Sequence, residues 1–78
     1  MSSSETPTYG VALFRSVQGA LAAEKRLLAV GLPHKLIAVP RHLSSNCGFC
    51  LRFAWADRDR VADILADGDL GVEATVAL

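Results

Sequence analysis

Residues 17–30 carry an apolar arc of helical period, and a strand-like apolar run stands on each side of it. On a helical wheel Val17, Ala20, Leu21, Ala23, Leu27, Leu28 and Val30 share one broad side, as an amphipathic helix requires. Ser16 supplies the side-chain oxygen that a helix N-terminus needs. Gly31 is the expected stop, and Pro33 cannot continue the helix. Before the arc, "YGVALFR" (Tyr9–Arg15) combines aromatic and branched residues and reads as a buried strand. After it, "HKLIAVP" (His34–Pro40) reads as a second strand ended by Pro40.

The second half repeats the arrangement. "FCLRFAW" alternates, with Phe49, Leu51, Phe53 and Trp55 on one face and Cys50, Arg52 and Ala54 on the other. Asp57 is placed to cap a short helix over residues 58–67, whose Val61, Ile64 and Leu65 face one way. Gly68 ends it, and "GVEATVAL" reads as a last strand with Val72, Ala74 and Val76 on one face. The order strand, helix, strand, strand, helix, strand predicts an α+β domain of the ferredoxin-like split type. Four antiparallel strands then carry both helices on one face. The chain of 78 residues is a single domain over residues 9–78, behind a polar tail, residues 1–8, that reads as disordered. The fold alone assigns no activity, because enzymes, metal carriers, regulatory domains and RNA binders share it.

Charge narrows the classes. Eight basic and eight acidic side chains cancel, which argues against a life on polyphosphate or anionic lipid. They are segregated, however. Residues 1–53 hold six basic and two acidic residues, net +4, and residues 54–78 hold two basic and six acidic, net −4. The RNA-binding version of this fold stacks bases on exposed strand aromatics. Here alternation puts Phe49, Phe53 and Trp55 on the helix-covered face, so no nucleic-acid partner is expected. The opening "MSSSETPT" has no basic start and no apolar core, unlike a secretory signal, and no apolar run is long enough to span a bilayer. A cytoplasmic protein is expected, with no membrane partner and with its two cysteines reduced.

Both cysteines fall in one stretch, "SSNCGFC", between the second and third strands. The topology brings this connection to the end of the sheet where Arg15 and Ser16 open the first helix, near its partial positive charge. Arg41 and His42 lie on the same connection, and Arg52 follows on the next strand. Each favours a thiolate on Cys47 over a thiol. Ser44, Ser45, Asn46 and Gly48 are turn residues whose amides can cup an anion. The same residues also fit a tight turn in which Cys47 and Cys50 pack as small hydrophobes. A thioredoxin-type site would open a helix, whereas this pair opens a strand. A zinc site within one chain needs His34 beside Cys47, Cys50 and His42, yet His34 begins the second strand at the opposite end of the sheet. Neither a metal nor another cofactor is therefore expected.

Glu24 falls inside the apolar arc of the first helix. A carboxylate there needs a partner, with Arg41, Arg52 or the loop amides as candidates, or else it reaches water past a thin helix edge.

The stretch "VPRHLSSNCGFCLRF", residues 39–53, resembles the signature of the DUF3343 family of selenium/sulfur carrier-like proteins. Pro40, Arg41, Leu43, Ser44, Ser45, Cys47, Gly48, Leu51, Arg52 and Phe53 match the pattern in place. Glu24 and Gly31 match it in the helix. The resemblance implies that Cys47 carries sulfur or selenium as a persulfide or selenopersulfide between a donor and an acceptor protein. Arg41, His42, Arg52 and the Ser44–Gly48 amides would then hold the charged sulfur, with Glu24 orienting an arginine. Cys50 departs from the small apolar residue usual there; it is either a resolving thiol or an incidental substitution. The competing reading is a non-catalytic module that binds a small anion or a metal on the same loop. An uncovered sheet face with Ile37, Val39, Cys50 and Ala54 would serve such a module for pairing as a homodimer.

Overall fold

The structure, a computed structural model, describes residues 9–43, 48–66 and 70–78. The elements follow in the expected order: β1 (Tyr9–Phe14), α1 (Val17–Ala29), β2 (His34–Ala38), β3 (Phe49–Ala54), α2 (Arg58–Ala66) and β4 (Val72–Ala77). The four strands form one sheet in the order β2-β3-β1-β4, and every neighbouring pair is antiparallel. This is the ferredoxin-like arrangement. The tail, residues 1–8, lies outside the described residues.

Local chemistry explains the first helix. Ser16 is extended, and its Oγ accepts the N–H of Gly19 at 3.3 Å. A cap of this kind stabilises a helix by about 1 kcal/mol. At the other end Gly31 adopts a φ of 74°, and its amide donates to the carbonyl of Leu28 at 3.1 Å, which turns the chain toward β2.

The helix buries less than its arc promised. Ala20, Ala23 and Leu27 are inside, whereas Val17, Leu21, Leu28 and Val30 are exposed. Two alanines let the helix backbone settle close to the sheet and draw the contact toward their side of the wheel. Glu24 lies about 70° from that centre at 100° per residue, at the margin of the buried side and not within it.

Two apolar clusters stand on opposite faces of the sheet. On the helix side Ala12, Phe14, Leu51 and Phe53 meet Ala20, Ala23, Leu27, Val61 and Leu65. On the other face Val11, Leu13 and Cys50 are buried, with Ile37, Val39, Leu43 and Val76 packed against them. The expected uncovered apolar face is thus closed at its centre. Leu43, which follows β2 in the loop, supplies part of that cover.

Two local readings are corrected, the end of β3 and the alternation of β4. Trp55 does not extend β3; it opens a 3-10 turn, Trp55–Asp57, that leads directly into α2, with Asp57 the residue before the helix as expected. Gly68, the expected stop of α2, lies outside the described residues. In β4 the alternation is broken: Leu13 pairs with Ala74, but Phe14 pairs with Val72. Glu73 is the extra residue of a β-bulge, which turns Val72 toward α2 while Ala74 and Val76 stay on the opposite face. No helix among the described residues is long and apolar enough to cross a membrane.

Candidate functional site

The register fixes where the cysteine-bearing connection stands. Leu13 pairs with Cys50 and Ala38 with Phe49, so the last residues of β1 and β2 and the first of β3 make one end of the sheet. The β2–β3 connection and the capped start of α1 both leave from that end. His34 pairs with Phe53 at the other end, which separates it from the connection.

The described flanks of the loop show how it is held. The Val39 amide donates to the Gly48 carbonyl at 3.0 Å and closes the hairpin one step beyond the last strand pair. The Leu43 amide donates to the Pro40 carbonyl at 3.0 Å, so Pro40–Leu43 is a β-turn. Arg41 and His42 occupy its two central positions, and both are exposed. Leu43 then packs on the sheet beside the cluster that contains Cys50. Gly48 has a φ of 77°, a conformation that favours glycine immediately after Cys47. Ser44, Ser45 and Cys47 lie outside the described residues.

A cavity of about 320 Å³ opens at the same end of the sheet. Arg15, Ser16, Gln18, Gly19, Leu70 and Gly71 line it. The Arg15 amide donates to the Gly71 carbonyl at 2.9 Å and ties the α2–β4 connection to the end of β1. Gly19 has no Cβ to collide with the Leu70 carbonyl, so the helix and that connection meet closely. Sequence reasoning used Arg15 only to mark this end of the sheet. Its pairing with Gly71 carries no local signal, because it depends on the path of the second crossover.

Three expected site residues stand elsewhere. Arg52 shares its face with Val11 and Lys35, its cross-strand partners, and its guanidinium lies 4.4 Å from the centroid of the Tyr9 ring. Tyr9 begins β1, so Arg52 reaches away from the Cys47 loop. Glu24 lies on the helix side of the sheet, the face opposite Arg52, and its Oε2 stands 4.0 Å from Nε2 of His34. The His34 Nδ1–H donates to the Leu32 carbonyl at 2.8 Å, which holds the ring there. Glu24 is thus placed beside His34, and Arg52 beside Tyr9. Cys50 is 0% exposed, set between Leu13 on β1 and Ile37 on β2.

No curated protein and no solved structure matches the chain. A family model described as "Putative Se/S carrier protein-like" matches residues 9–77, a span that runs from the first residue of β1 to the last of β4 and includes both cysteines. The match spans every element of the fold, and the chain belongs to the Se/S carrier protein-like family.

Proposed function

We propose that the chain carries a sulfur or selenium atom on Cys47, bound as a persulfide or selenopersulfide, between a donor protein and an acceptor protein. The observation that carries this reading is the burial of Cys50. A thiol with no solvent access cannot meet a donor, so thiol chemistry on the folded chain falls to Cys47. Family membership across residues 9–77 supports the carrier role itself.

Each transfer is an exchange between sulfur atoms. The Cys47 thiolate attacks the terminal sulfur of a donor persulfide. A new S–S bond forms to Cys47, the donor S–S bond breaks, and the donor leaves as a thiolate. Electrons balance within the exchange, with no external oxidant. Delivery repeats the step with an acceptor nucleophile, and Cys47 returns as a thiolate. Arg41 at the turn tip provides positive charge for the anionic sulfur, His42 a ring N–H donor, and Ser44 and Ser45 amides. Cys50 takes the part of a packing residue. The setting is cytoplasmic, where a carrier thiol stays reduced between loads.

Intact mass before and after incubation with a cysteine desulfurase and cysteine tests the reading. A reductant-sensitive gain of about 32 Da, absent from Cys47→Ser, is expected. An equal gain in that variant overturns the assignment.

A further inference from the structure

We propose a second ligand site on this chain, for the dianionic phosphate group of a small phosphomonoester, at the opposite end of the sheet from the Cys47 loop. Tyr9, Pro33, His34, Lys35, Arg52, Phe53 and Ala54 enclose a cavity of about 370 Å³ there. That volume falls in the roughly 300–1,000 Å³ range of small-molecule clefts.

Lys35 and Arg52 are direct cross-strand partners in the β2–β3 ladder. Residues so paired project to the same face with neighbouring Cβ atoms, and two like charges in that position repel. Both line the cavity, and none of its lining residues is acidic. Glu24 is not among the lining residues; it stands behind the wall, 4.0 Å from Nε2 of His34. Salt could screen a lone exposed pair of cations, but a concave wall that presents both to one volume creates a place for an anion.

The geometry favours phosphate. Arg52 is half-buried with its guanidinium 4.4 Å from the centroid of the Tyr9 ring, and a guanidinium can give a phosphate two parallel hydrogen bonds. Lys35 is exposed and adds a mobile point charge beside it. Two cations match the charge of a phosphomonoester, which is close to −2 at neutral pH. Tyr9, Pro33, Phe53 and Ala54 form the apolar part of the wall, against which the organic part of the ligand rests. The cavity is too large for phosphate alone.

The site is separate from the carrier loop. Arg52 lies four residues beyond Gly48 along the chain, about 13 Å at strand rise, and leans toward Tyr9. Its occupancy is thus measurable without any cargo on Cys47.

The test is an amide NMR titration of the full chain at pH 8 and constant ionic strength. The probes are glycerol 3-phosphate and inorganic phosphate, with glycerol and sulfate as controls. Saturable shifts at Tyr9, Lys35, Arg52 and Ala54 are expected with glycerol 3-phosphate, with weaker binding of inorganic phosphate and none of glycerol. Lys35→Ala, at an exposed position, should weaken binding about tenfold, the loss of one charge-assisted hydrogen bond. Arg52→Ala should weaken it at least as much, and far-ultraviolet circular dichroism checks that each variant remains folded. Arg41→Ala should leave it unchanged. Shifts that follow Arg41 and Gly48 instead, or that rise without saturation and equally with sulfate, overturn the proposal.

Discussion

The indole of Trp55 rests on the backbone of Gly10, so closely that a Cβ on Gly10 would overlap its Cε3 and Cζ3 atoms. Gly10 pairs with Phe53, and the rings of Phe53 and Trp55 stack with centroids 6.1 Å apart. Arg58, at the start of α2, lies 5.5 Å over the same indole. This stack is what folds the chain from β3 into α2 with only a 3-10 turn between them. Gly10→Ala should therefore destabilise the domain by about 1–3 kcal/mol, the range for overpacking a filled site. Urea unfolding followed by circular dichroism measures it. A loss within a few tenths of a kcal/mol would show that the indole moves aside freely.

The burial of Cys50 has its own consequence for thiol chemistry. In Cys47→Ser the remaining thiol should ignore a disulfide reagent in the folded protein and react at once in denaturant. Cys50→Ala should cost about 1 kcal/mol or more through the small cavity it leaves. It should also leave the persulfide gain on Cys47 intact. Rapid reaction of Cys50 in the native chain would instead restore it as a resolving thiol.

Charge at the turn tip should set how reactive Cys47 is. Removing Arg41 takes away a cation, and removing His42 a hydrogen-bond donor, that favour the thiolate. In Arg41→Ala and His42→Ala, alkylation of Cys47 by iodoacetamide at pH 7 should slow several-fold. Both side chains are exposed, so added salt should narrow the Arg41→Ala difference by screening. Rates equal to the parent at low salt would remove both residues from the site. Neither variant should change thermal stability appreciably, since surface positions of this kind rarely do.

Ser16, Gly31 and the alternation of Leu51 and Phe53 were legible in sequence because their signals are local. A cap needs one oxygen, a helix stop one glycine, and a strand face a period of two. The bulge at Glu73 had no such signal, for it exists only relative to the register of β1. The burial of Cys50 stood in the sequence as one of two open readings for a related reason. Alternation placed it on the face without helices, but its cover comes from neighbouring strands and from Leu43 on a loop. Glu24 was read against the arithmetic centre of an apolar arc, whereas the sheet meets the side where Ala20 and Ala23 permit close approach. In the candidate site, residue identities could be read from sequence. The directions of Arg52 and Glu24 could not, because a long side chain goes where tertiary partners hold it.

The hydrogen bond from Val39 to Gly48 completes the sheet before the loop begins. The Pro40–Leu43 turn thus hangs from a finished hairpin, whose strand pairing is settled without it. A substitution at the exposed turn positions Arg41 and His42 therefore changes the chemistry of the connection without touching the strand register, while Leu43 anchors the turn to the sheet.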